Sequence, residues 1–148
     1  MDRRTIDCEV SVTGTAAEVF SHLCEAGKLE RWFPAEAKTD PVQGGSYRFG
    51  FKRRDGSLDH ERSGTFLLVE PARRLAYDWD FGLGKTRVEF VLSPNGGQTA
   101  VRLRHGDFEE GPAWDEAYRL HEAGWKMFLA NLKSVLEEGR DQRAAMFG

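Results

Sequence analysis

Long apolar runs are missing from this chain. No segment approaches the ~18 consecutive apolar residues of a membrane-spanning helix, and the opening stretch MDRRTIDCEV is charged where a secretory signal would be apolar. Cysteine is scarce. The two present, Cys8 and Cys24, have no Cys-x-x-Cys or His/Cys ligand spacing, which argues against a disulfide framework and suits reduced, buried thiols in the cytoplasm. Neither sign of charge dominates: 21 Lys plus Arg stand against 24 Asp plus Glu, interspersed along the chain, for a net charge of -3. Neither a nucleic acid nor membrane insertion is therefore expected.

Catalytic and cofactor motifs are equally sparse. GLGKT (82–86) has the tail of a phosphate-binding loop, but the position where a Walker loop needs its first glycine is Trp79, and the segment leads into a strand pattern. HERSG and HEAGW each lack the second histidine of a zincin helix, and His22, His60, His105 and His121 are too far apart for local ligand spacing, so no metal and no cofactor is expected. There is no Gly-x-Ser-x-Gly elbow. Asp78 and Asp80 alternate away from the apolar set, and Glu109 and Glu110 fall in a loop, so no paired acid and base is evident.

What the chain does have is periodicity. Its 148 residues suit one domain able to bury ~70% of its unfolded surface. TIDCEVSV (5–12) alternates with Ile6, Cys8, Val10 and Val12 on one side, a strand. Thr15 with Glu18 has capping-box spacing ahead of Val19, Phe20 and Leu23, a short helix; a second short helix is expected over LERWF, stopped by Pro34. From residue 44 to about 108 the period is two. Tyr47, Phe49 and Phe51 share one face, as do Leu75, Tyr77, Trp79 and Phe81; Val88, Phe90 and Leu92 follow, then Val101 and Leu103 across a hairpin about Asn95-Gly96.

The last element opens at Pro112 and stops at Gly139. At ~1.5 Å per residue it extends ~40 Å, and Trp114, Ala117, Tyr118, His121, Trp125, Phe128, Leu132 and Val135 keep three and four spacing throughout. Gly124 interrupts the stripe at a cost of roughly 1 kcal/mol against alanine, which suggests close approach of another backbone or a bend. Residues 140–148 read as a frayed tail of a single domain spanning 1–148. The expected architecture is α+β: a helix-grip fold, a curved antiparallel sheet of about six strands wrapped around the long C-terminal helix, with two short helices after the first strand.

GTAAEVFSHL, ERWFP, GGSYRF, SGTFLLVEPARRLAYDW, TAVRLRHGDF and GWKMFLANLKSVLEEG, in that order, cover nearly the whole chain. In them the sequence resembles the START/Bet v 1-like (SRPBCC) superfamily, and within it the activator of Hsp90 ATPase homologue 1-like family. The resemblance implies a deep hydrophobic cavity between sheet and long helix, which in such families holds small apolar molecules or has no known ligand. The family name also suggests an Hsp90-associated interaction module as a further alternative, but the activator that gives the name has an additional N-terminal domain, whereas this chain enters its first strand almost at once, so Hsp90 is not expected as a partner.

The residues placed around such a cavity are Trp32, Phe33, Phe49, Phe51, Tyr77, Trp79, Phe90, Leu103, His105, Tyr118, His121, Trp125 and Phe128, with RWFP (31–34) at its rim. The alternative is that these aromatics simply fill a solid core. His105 continues the inward period of Val101 and Leu103, and His121 lies four residues before Trp125. Each is either a buried ring bonded to a nearby carbonyl or a polar anchor of the pocket. The leading expectation is binding or carriage of a small apolar or aromatic ligand without catalysis. A cyclase-like or hydrolase-like enzyme would use His105, His121 or Tyr118 as acid or base, which requires their polar atoms to meet at one wall. Exposed edge strands leave room for a homodimer.

Overall fold

The computed structural model describes residues 4–53 and 55–146. Strand β1 (Arg4–Thr13) is followed by α1 (Ala16–Cys24), α2 (Ala26–Leu29), β2 (Glu36–Thr39), β3 (Ser46–Lys52), β4 (Leu58–Glu70), β5 (Arg74–Asp80), β6 (Lys85–Asn95), β7 (Gln98–Phe108), α3 (Pro112–Glu138) and α4 (Arg143–Met146). The seven strands form one antiparallel sheet in the order β1-β7-β6-β5-β4-β3-β2. The helix-grip architecture is thus observed, with β2 as one strand more than the expected six or so.

Local chemistry explains the element ends. Thr15 Oγ1 accepts the Glu18 amide at 3.1 Å and so caps α1. Gly139 closes α3 at φ 68, the left-handed geometry that glycine adopts without steric cost. The β6–β7 turn is Gly96-Gly97, one residue later than expected, with both residues at positive φ as a two-residue hairpin loop requires. The second helix also shifts: α2 ends at Leu29, and LERWF continues as tight turns in which the Trp32 and Phe33 amides both donate to Leu29 O.

Strand β4 bends the sheet. Its first half pairs with β3 and its second half with β5, the β5 ladder running only from Phe66↔Tyr77 to Glu70↔Arg74 with a register shift inside it. Just before that ladder, Asp78 Oδ1 takes the Thr65 amide at 2.8 Å in place of a backbone acceptor. A Cβ at Gly64 would overlap that carboxylate, so glycine is needed there. The sheet therefore loosens between the first half of β4 and the end of β5, and α3 crosses beside this opening.

Helix α3 buries Trp125, Leu129, Leu132 and Val135 against the sheet. Each such side chain contributes about 1.5–3 kcal/mol on burial, and Leu132→Ala would cost about 2–5 kcal/mol. The segment after α3 is bonded back onto the fold through residue 143. Asn131, inaccessible to solvent, donates Nδ2 to Trp32 O at 2.9 Å and accepts the Gln142 amide at 2.7 Å. Arg143 then reaches the carbonyls of Glu30 (2.6 Å) and Pro34 (2.8 Å). Polar anchoring with no apolar period ties down residues 140–146; residues 147 and 148 lie outside the described residues.

Candidate aromatic binding cleft

Most of the space expected to be a cavity is filled by side chains. Trp32, Phe49, Tyr77, Phe90 and Leu103 are all but inaccessible, and they pack ring on ring: Tyr47 on Phe49 at 4.5 Å between centroids, Tyr47 on Tyr77 at 4.9 Å, Tyr77 on Phe90 at 6.2 Å. These distances are those of ordinary aromatic packing. Trp32 satisfies its indole N–H on His22 O at 2.7 Å. This group is core, behind the site.

Room remains at the loosened end of the sheet, in two lobes that share Phe33, Phe51 and His60 as walls. The apolar lobe, about 280 Å³, lies between α3 and β4–β5 and is lined by Phe33, Phe51, Trp79, Trp125 and Phe128 together with Leu120, Gly124, His60, Arg62 and His121. The polar lobe, about 740 Å³, continues past Lys52, Arg53, Asp55 and Asp59 to Arg143 and Ala144. Phe33 stands at the junction, 4.8 Å from the Phe128 ring and 5.1 Å from Trp125, and is the one residue of RWFP that lines the lobes.

Of the two expectations for Gly124, close approach of another backbone is not met. Helix α3 is unbroken across it, and a Cβ there would meet nothing within 4 Å. No backbone approaches. The glycine faces the apolar lobe and keeps it wide.

Each histidine candidate is locked by its partners. Trp125 Nε1 donates to His105 Nδ1 at 3.0 Å, so the ring proton sits on Nε2, which points at Thr86 Oγ1 at 2.7 Å; that hydroxyl in turn donates to Trp79 O at 2.6 Å. His105 is inaccessible, and burial pushes its pKa down to about 3. His121 bonds Ala117 O through Nδ1 at 2.8 Å, which places its proton there, and Nε2 accepts the Trp79 indole N–H at 3.3 Å. Burial lowers its pKa too. The buried His22 is held the same way, between Glu18 O at 2.9 Å and Arg31 at 2.8 Å.

Tyr118 turns elsewhere. Its hydroxyl donates to Thr5 O at 3.3 Å beneath the Arg4 guanidinium, and its ring packs on Phe108 at 5.4 Å. The rings of His105 and His121 are 5.4 Å apart, but their nitrogens are engaged in separate bonds and Tyr118 joins neither. The three candidate acid–base groups do not converge on one wall. Of them, only His121 lines the apolar lobe.

Four residues of the lobe lie outside the expected cavity set: Leu120 and Gly124 on α3, and on β4 the pair His60 and Arg62. The β4 pair are the cross-strand partners of Phe51 and Phe49, and so share the inner face with them. Carrying the two-residue period back from Phe66 through Gly64 would have found both. His60 stacks on Phe51 at 4.7 Å and bonds Asp59 through Nδ1 at 2.6 Å. Arg62 lies over the Trp79 ring, its guanidinium 6.0 Å from the centroid.

The fold and cleft define a helix-grip protein whose sheet and terminal helix meet around aromatic side chains. The family model described as activator of Hsp90 ATPase homolog 1-like protein matches residues 14–137, and the chain belongs to that family. Its fold is that of protein MLL2253 from Mesorhizobium loti (22% identity, TM-score 0.78, covering 93% of this chain and 99% of that one). It is also that of the Aha1 dimer from Colwellia psychrerythraea (18%, 0.80, 93% and 98%). CalU16 from Micromonospora echinospora is similar as well (25%, 0.76, 98% and 81%). Among curated proteins, no sequence relative matches. Among the described residues, no helix is long and apolar enough to cross a membrane and no cluster of three or more metal-ligating side chains occurs.

Proposed function

We propose that the protein binds and carries a small apolar or aromatic molecule in the lobe between α3 and the β4–β5 end of the sheet, without transforming it. The observation that carries this reading is the lobe itself: Phe33, Phe51, Trp79, Trp125 and Phe128 wall a space that no side chain among the described residues fills, and Gly124 holds its floor open. Apolar walls with a few polar groups are the usual composition of a small-molecule site. Binding is favoured over catalysis because His105 and His121 are held neutral with both ring nitrogens engaged, and Tyr118 faces β1. Free, buried Cys8 and Cys24 suit a reducing compartment such as the cytoplasm. The dimer solved for the Colwellia relative makes self-association of this single domain a matching expectation.

Native mass spectrometry of the purified protein, before and after adding a neutral naphthalene such as 2-naphthamide, tests the reading. A one-to-one complex is expected, and Gly124→Leu should abolish it while leaving the protein folded, since the new side chain enters open space. Persistence of the complex in Gly124→Leu would place the guest elsewhere and defeat the proposal.

A further inference from the structure

Among the residues lining the apolar lobe, Arg62 is the one permanent charge. Its neighbours at the cleft are neutralised within the protein: Lys52 by Glu36 at 2.6 Å, Arg53 by Asp59 at 3.0 Å, Arg143 by Asp141 at 2.7 Å, and Arg48 by Glu61. Arg62 makes no such ion pair among the described residues; Asp80 and Asp59 act on it only from farther off. One terminal nitrogen donates to Glu61 O at 2.9 Å, and Nε is buried with no hydrogen-bond partner.

This is an unfavourable state for a guanidinium. Arginine does not escape burial by losing its proton, and a half-desolvated charge without a partner retains much of its desolvation penalty. Nothing else in the lobe compensates, because His121 is neutral and already bonded at both nitrogens. An incoming carboxylate would meet a planar fork of donors, the pairing for which arginine is best shaped. The rest of such a molecule would lie against Trp79, Trp125 and Phe128.

We propose that the ligand of this lobe is an apolar or aromatic molecule bearing one carboxylate, and that Arg62 selects it. The assignment rests on the reading of the lobe as a binding site, and three compounds of one shape separate the two ideas: 2-naphthoate, 2-naphthamide and 2-naphthylmethylammonium. Calorimetric titration at about pH 7 should rank them in that order, with the carboxylate roughly tenfold tighter than the amide, as one charge-assisted pairing provides. Arg62→Gln should bring the carboxylate level with the amide, whatever the variant does to both, and Arg62→Lys should keep part of the preference. On the native protein, added salt should shrink the preference.

Equal binding of carboxylate and amide, with both lost in Gly124→Leu, would overturn the selection by Arg62 and leave the binding site standing. The same overturning follows if the carboxylate preference survives Arg62→Gln, since Arg62 would then be only a cation stacked on Trp79. Failure of all three compounds to bind would bring down both ideas together.

Discussion

Trp125 of α3 donates its indole N–H to Nδ1 of His105 on β7, across the interface between the long helix and the sheet. A mirrored bond runs the other way, from Trp79 on β5 to His121, one helical turn before Trp125. Two tryptophan donors and two histidine acceptors thus cross-link helix and sheet at the back of the apolar lobe, and Thr86 extends the first pair to the Trp79 carbonyl. Wide aromatic rings fix the spacing of the lobe, and their polar edges fix its orientation.

Breaking this link should be costly for its size. Trp125→Phe removes the donor and leaves His105 Nδ1 buried without a partner, and Thr86→Val removes the acceptor from Nε2 with little change of shape. Each should destabilise by about 1–3 kcal/mol, and the double variant should cost less than the sum because both act on one ring. Urea unfolding of the four proteins measures this; strict additivity would mean that the chain of bonds is not a unit.

Acid should unfold the protein earlier than its carboxylates dictate. Burial depresses the pKa of His105 to about 3, and those of His22 and His121 in the same direction. In the unfolded chain these rings return to ~6.5. Below that value the unfolded state binds protons that the folded state does not, so stability is complete above ~6.5, falls as pH drops, and levels off for His105 near 3. The slope is about 1.4 kcal/mol per pH unit for a ring fully excluded from protonation. Asp7, held low by its bond to Arg102, adds its loss only below the ordinary carboxylate range. Unfolding free energy at about pH 5 should therefore lie on the order of 2 kcal/mol or more below that at about pH 7.5; equal values would show that the rings are protonated in place.

The C-terminal segment should behave as a latch rather than a tail. Arg143→Ala deletes the bonds to Glu30 O and Pro34 O, and charge-assisted bonds of this kind contribute about 1.5–3 kcal/mol each before solvent takes over the exposed carbonyls. Hydrogen exchange reports it locally. The Gln142 amide, bonded to Asn131 Oδ1, should lose protection in Arg143→Ala while the amides of α1 keep theirs. Unchanged exchange at Gln142 would show that Asn131 alone holds the segment.

Periodicity made the sheet faces, the capped first helix and the full length of α3 legible, because each is a local pattern with a local cause. Two things were not local. Whether Tyr47, Phe49, Tyr77 and Phe90 leave a vacancy depends on how their rings interlock across three strands, and alternation carries no volume. The docking of residues 140–146 depends on Asn131, a polar side chain inside an apolar stripe whose partners lie 99 residues back at Trp32 and 11 residues ahead at Gln142. Arg62 was legible in principle, since Phe66 sets its face, but a charged residue on an inner face runs against the usual assignment. Gly124 stands out in the sequence for its helix cost, but no other backbone approaches it within 4 Å. Open space accounts for it.

The central claim is that a guest occupies the lobe between α3 and β4–β5. The most direct measurement is a two-dimensional NMR titration of isotopically labelled protein with 2-naphthoate, followed by contacts between ligand protons and side chains. The account predicts saturable shifts at the Trp79 and Trp125 indole N–H signals and at the Gly124 amide, with ligand contacts to the rings of Phe33 and Phe128. Shifts confined to the outer face of the sheet, or indole signals unmoved at saturation, would contradict it.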